Sequence, residues 1–197
     1  MSMPPHDPQA ELALLARMQQ GDEAAFVALY RRHKDGVHRF ALLFCGSPAA
    51  AADVTQDTFL HFITQTAQYD PARGSIGAWL CGVARNLARK QMGLREIATD
   101  PASLDDDTAR FEEHPQRDSP LERVLRNEAA EQVRRALAAI APHYRDVLIL
   151  CELSELSYAE AAQVCGIDIG TVRSRLSRAR TQLAQRLAPA LGGALEA

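Results

Sequence analysis

Aromatic residues are scarce in this chain of 197 residues, at 6% with a single tryptophan. β-Branched residues are few, while alanine and leucine abound, a mix that favours helix over strand. Cysteine is sparse too: Cys45, Cys81, Cys151 and Cys165 form no CxxC pair and no CxxC…H pattern. That spacing argues against a zinc site or a disulfide framework, and for buried thiols in a reducing compartment. No apolar run approaches the roughly 18 residues of a membrane span. The opening "MSMPPHDPQ" lacks the basic and apolar segments of a secretory leader. The expected location is therefore cytoplasmic, without membrane insertion. Positive charge is also in deficit, with 22 basic side chains against 25 acidic ones and a net charge of −3. An acidic total gives no global footprint for nucleic acid, so any DNA contact must come from a local patch.

What is present divides the chain in two. Residues 94–119, "LREIATDPASLDDDTARFEEHPQRDS", lose apolar periodicity and carry eight acids against three arginines, a net of −5. Such a composition cannot bury enough surface to order itself and reads as a flexible acidic linker. The expected fold is all-α: two small helical domains, 10–93 and 120–188, joined by that linker, with tails at 1–9 and 189–197. In the first domain a short helix (10–20) ends at Gly21, and Asp22 caps a long one reaching about Cys45, where Gly46 stops it. Ser47 followed by Pro48 opens a third helix to about Tyr69. "DPARG" (70–74) is a turn, and Ser75 caps a fourth helix ending before Gly93. In the second domain, Leu121, Val124, Leu125, Val133, Leu137 and Ile140 mark one helical stripe over 120–141. Pro142 opens a helix to about Leu153. "SYAE" (157–160) is a capping box that starts a short helix, and Asp168 caps the last one.

That last helix holds "GTVRSRLSRAR", with four arginines and no acid in eleven residues. At 100° per residue, Val172, Leu176, Ala179 and Leu183 form one narrow packing edge. Thr171, Ser174, Arg175 and Arg178 cluster on one flank of it, and Arg173, Ser177 and Arg180 on the other. Arginine at this density suits phosphate oxygens and guanine edges. A capped short helix, a tight turn at Gly166 and then the basic helix make helix-turn-helix spacing, which places the second helix in a DNA groove. In the fourth helix, Ile76, Trp79, Leu80, Val83, Ala84 and Leu87 form an apolar face opposite Gly82, Arg85, Asn86 and Arg89. In the third, Asp53, Gln56, Asp57 and Leu60 lie along one strip, a docking edge for a partner helix.

Together these blocks resemble the extracytoplasmic-function sigma factors of bacterial RNA polymerase. "AADVTQDTFLHF" is similar to that family's polymerase-binding helix. "SIGAWLCGVARNLARKQM" resembles its −10 recognition helix. "LSYAEAAQVCGIDIGTVRSRLSRARTQL" resembles its −35 helix-turn-helix. The resemblance implies a sigma factor that binds RNA polymerase core through the β′ coiled coil and the β subunit and directs promoter recognition, with no catalysis, metal or cofactor of its own. It assigns Thr171, Arg173, Ser174, Arg175 and Arg178 to the −35 duplex. Asn86 falls at the −10 strand with Arg85 and Arg89 on backbone phosphate. Asp53, Gln56, Asp57 and Phe59 fall at the β′ contact, Phe59 in a supporting role. It also implies an anti-sigma factor as a partner. Gly82 and Cys81 stand where the family carries larger residues, and Gly82 weakens the helix by about 0.5–1 kcal/mol relative to alanine. The acidic tether, on this reading, shields the arginine helix from DNA in the free protein.

Two other functions are tested by the same residues. A stand-alone dimeric helix-turn-helix regulator leaves the blocks of the first domain unexplained. An enzyme would need a constellation that is missing: the histidines are scattered, and no nucleophile elbow, P-loop or HExxH occurs.

Overall fold

The computed structural model describes residues 8–93 and 130–192, and within them all regular structure is helical. The acidic tether lies outside the described residues. Four helices build the first half: α1 (Pro8–Gln19), α2 (Glu23–Cys45), α3 (Pro48–Gln65) and α4 (Ile76–Gln91). The second half holds α5 (described over 130–138), α6 (Pro142–Leu148), α7 (Tyr158–Cys165) and α8 (Ile169–Gly192).

The local signals act as written in the sequence. Asp22 accepts hydrogen bonds from the Ala24 and Ala25 amides at 2.9 and 3.2 Å, and Ser47 and Ser75 accept from the Ala50 and Ala78 amides. Each satisfies a donor that a helix start otherwise leaves orphaned. Ser157 and Glu160 form the complete capping box of α7. At Gly166 the backbone turns left-handed, with φ +66°, the conformation glycine adopts without a Cβ penalty. Two elements differ from the sequence expectation. α3 stops at Gln65, and Thr66–Gln68 continue as a 3₁₀ turn. The helix begun by Pro142 changes after Leu148 into a π-helical turn, Ile149–Leu153, closed by the Ser154 amide donating to the Ile149 carbonyl at 2.8 Å.

Phe40 and Phe44 of α2, Phe62 of α3 and Leu80 of α4 fill the first core; Leu137, Leu150 and Leu176 fill the second. Glu11, itself buried, fastens α1 to α2 by reaching Arg32 Nε and His33 Nε2, each at 3.2 Å. The halves do not stand apart. α4 packs on α7, α2 packs on the π turn, and one apolar cluster runs through both halves. Gly82 belongs to this seam: a Cβ there would lie 3.7 Å from Val164 Cγ2. The residue that weakens α4 by propensity thus faces a side chain of α7.

Candidate nucleic-acid interface

Val172, Leu176 and Ala179 are buried and Leu183 is half-buried, so α8 docks by the edge its periodicity marks, against α6 and α7. Asp168 caps it: Oδ1 accepts from the Thr171 amide at 2.8 Å and Oδ2 from the Thr171 hydroxyl at 2.5 Å. Those bonds hold the Asp168 carboxyl below its ordinary value. Arg173, Ser174 and Arg178 are exposed, and Thr171 and Arg175 half-buried, which leaves a cationic surface around the docking edge. Arg178 Nη1 donates to the Tyr144 hydroxyl at 3.2 Å, and Arg180 pairs with Glu152. His143 lies near this surface; burial, and then the charge of Arg175, pull its pKa down, so it is neutral at pH 7. Tyr144, Glu152 and His143 orient or border the basic face. None carries a sequence signal beyond its position in a neighbouring helix.

In the first half, Asp53, Gln56, Asp57 and Leu60 are exposed along α3, as their spacing implies, while Phe59 is buried at 4%. Phe59 meets the Tyr30 ring edge-on at 4.7 Å and supports the strip from beneath. Beside the strip, a groove between α2 and α3 is lined by the apolar Phe26, Tyr30, Leu60 and Ile63 and by the polar Lys34, Asp35 and His38. Leu60 and Ile63 are 52% and 51% exposed. Trp79 is half-buried in a ring cluster with His61, Phe62 and Tyr69. The Tyr69 hydroxyl donates to the Gly74 carbonyl at 2.9 Å and fixes the loop that leads into α4.

The polar face of α4 departs from expectation. Asn86 is exposed, but Arg85 and Arg89, expected to be open to backbone phosphate, are only 5% and 6% exposed. Both point at Asp146 of α6, itself 1% exposed. Asp146 Oδ2 accepts from Arg85 Nε and Nη2, each at 2.8 Å, and from Arg89 Nη1 at 3.1 Å. Arg85 Nη1 also reaches the Val164 carbonyl of α7 at 3.5 Å. A second contact closes the start of α4. Glu160 Oε2 completes the α7 cap, and its Oε1 accepts from the Ser75 hydroxyl at 2.7 Å and the Ser75 amide at 3.3 Å. Partial burial works to raise the Glu160 carboxyl; the bonds from Ser75 and Ser157 outweigh it and hold the pKa below its ordinary value. Sequence reasoning missed Asp146. The available signal was two arginines one turn apart on a face with no acid, which calls for an anion from elsewhere in the fold.

Residues 29–93 match the family pattern Sigma-70 region 2, and residues 130–183 match Sigma-70, region 4. ECF RNA polymerase sigma factor SigE of Mycolicibacterium smegmatis is 31% identical over 172 residues, which cover 85% of this chain and 65% of SigE. ECF RNA polymerase sigma factor SigC of Mycobacterium tuberculosis is 32% identical over 178 residues, 90% of this chain and 91% of SigC. Among solved structures, CnrH in complex with the cytosolic domain of CnrY aligns with a TM-score of 0.68 and 26% identity, covering 91% of this chain and 98% of that one. The two sigma-70 regions fall on the two helical halves in order, and the relatives span nearly the whole sequence. The chain belongs to the extracytoplasmic-function sigma factors, the subunits that direct RNA polymerase to promoters.

Proposed function

We propose that within this family role the chain reads the −35 element with α8 and the −10 element with α4. The exposed cationic face of α8 on a packed helix-turn-helix is the observation that carries the reading. Arg173, Arg175 and Arg178 supply guanidinium groups for base edges and phosphates, with Thr171 and Ser174 as short-range donors. At the −10 strand Asn86 supplies the base contact, while Arg85 and Arg89 hold backbone phosphate once Asp146 is withdrawn. Asp53, Gln56 and Asp57, supported by Phe59, dock on the β′ coiled coil, and the neighbouring groove extends that surface. The β subunit receives the second domain. Domains at 10–93 and 120–188 divide these tasks, and the acidic tether 94–119 spans them.

The protein works in the cytoplasm and catalyses nothing; polymerase supplies the active site. An anti-sigma factor is a further partner, supported by the alignment with CnrH, which was solved bound to CnrY. Among the described residues no helix is long and apolar enough to cross a membrane. Run-off transcription with purified core polymerase on a promoter library tests the reading and yields both recognition elements. Core enzyme that initiates no better with the protein than alone refutes it.

A further inference from the structure

We propose that Tyr144 of α6 is a positioning residue for promoter specificity, its hydroxyl aiming the Arg178 guanidinium at a base edge of the −35 duplex. The inference rests on the assignment of α8 to that duplex. Arg178 is exposed, yet its Nη1 donates to the Tyr144 hydroxyl at 3.2 Å. Arg173 and Arg175, also assigned to the duplex, make no side-chain hydrogen bond among the described residues. A freely swinging arginine settles on a phosphate from many directions, whereas a base edge needs the planar fork in one orientation. Among these arginines the fold sets the direction of Arg178 alone.

The anchor is rigid where the arginine is long. Tyr144 is half-buried against the core, and the His143 ring lies 4.0 Å from its own, centre to centre. Its amide donates to the Ala141 carbonyl at 2.9 Å. The next residue, Arg145, is buried and bound to the Phe44, Ala138 and Ile140 carbonyls. Because α6 packs on α8, the contact that docks the reading helix also carries the hydroxyl to it. The bond engages Nη1 only. Nε and Nη2 remain, and side by side they form an edge that fits guanine O6 and N7.

The opposite flank of α8 shows what a different partner does. There Arg180 pairs with the Glu152 carboxylate. A carboxylate neutralises the guanidinium it holds and competes with DNA phosphate for the same donors. An uncharged phenol supplies direction and leaves the positive charge whole. Arg180 is thus tied up in an ion pair while Arg178 is presented to the duplex. The Tyr144 proton itself meets no acceptor among the described residues, so its rival role is a direct bond to a backbone phosphate.

The test uses holoenzyme assembled from core polymerase and the full-length chain. Its templates are the promoter selected by run-off transcription and copies with base-pair changes in the −35 element. Y144F deletes the hydroxyl and keeps the ring, its packing and the His143 contact; a thermal melt and gel filtration check folding and assembly. In competition run-off assays, the preference of Y144F for the selected promoter should fall by about three- to tenfold, the net worth of one hydrogen bond. R178A should lower that preference at least as far, and Y144F added to R178A should lower it no further. An unchanged preference in Y144F beside a lowered one in R178A overturns the positioning role and leaves the −35 assignment standing. An unchanged preference in R178A removes the assignment and the positioning together. Equal losses on selected and altered promoters make Tyr144 a phosphate contact and overturn the proposal, as does a further fall in the double variant.

Discussion

Buried in the seam beside Asp146, the Arg145 guanidinium gathers carbonyls from two helix ends. Its Nη1 donates to Phe44 O, in the last turn of α2, at 2.8 Å; its Nη2 donates to Ala138 O at 2.7 Å and Ile140 O at 3.1 Å, where α5 ends. The guanidinium carbon also lies 5.6 Å from the centre of the Phe44 ring. These carbonyls have no onward partner in their own helices. Arg145→Met keeps the apolar volume and deletes all of the donors. A buried carbonyl left unpaired costs about 1–3 kcal/mol. Ala138 O lies in a part-buried contact where water can replace the arginine, so two carbonyls count and the loss is about 2–6 kcal/mol. Burial itself pulls the Arg145 pKa down, a sign that the charge is costly to hold there, and removing it returns part of the penalty. The expected destabilisation is thus in the lower half of the range, about 2–4 kcal/mol. With a urea m-value of about 2 kcal/mol/M, the midpoint followed by far-UV circular dichroism should fall by about 1–2 M. A shift under about 0.3 M would mean that water already satisfies these carbonyls, and would refute the penalty assigned to them.

Three further outcomes are expected. Arg178→Ala should weaken binding of the −35 duplex by about 1–3 kcal/mol and relax its sequence preference, read by fluorescence anisotropy against a scrambled duplex; equal losses on both duplexes would make Arg178 a phosphate contact instead. Gly82→Ala should raise the melting temperature by about 2–4 °C, because alanine strengthens α4 by about 1 kcal/mol and its Cβ meets Val164 at an ordinary contact distance; a lower melting temperature would show the seam too tight for a methyl group. Burial pushes the Cys81 and Cys165 thiols up to about 12, and those of Cys45 and Cys151 to about 11. In the unfolded chain thiols ionise at about 8.5, so the stability these groups contribute is complete below that value and is lost as pH rises toward 11–12. Urea midpoints should therefore agree at about pH 7 and 8 and fall by about pH 10.5, and iodoacetamide should label the folded protein slowly at about pH 8; a flat profile with fast labelling would contradict the burial.

Much of the chain is legible residue by residue. Asp22, Ser47, Ser75, Ser157 and Asp168 make the cap contacts that their positions imply, because a cap is decided within three or four residues. The docking edge of α8 and the exposed strip of α3 follow from periodicity for the same reason. Contacts that escape are decided by residues far apart in sequence. Arg85 and Arg89 have the spacing of a solvated cationic face; its lack of acids calls for an anion, but nothing near them says that the anion is an aspartate 61 residues on from Arg85. Glu160 is legible as a cap through one carboxylate oxygen, while the other serves Ser75, 85 residues away. The polar part of the seam is invisible to helical periodicity because Arg85, Arg89, Asp146 and Glu160 lie on faces that pass for surface.

The π turn at Ile149–Leu153 gives the chain a tolerance that its helices otherwise lack. A ladder closing over five residues instead of four carries one surplus residue, so deletion of a single position there leaves plain α-helix with every backbone bond remade. Five residues of π turn sweep about the same angle as four of α-helix, so α7 and α8 keep their bearing and Glu160 still meets Ser75. The same deletion inside a regular helix would rotate everything downstream by about 100° and misaim the reading head. Chain length is thus forgiving at this turn and fixed by orientation around it.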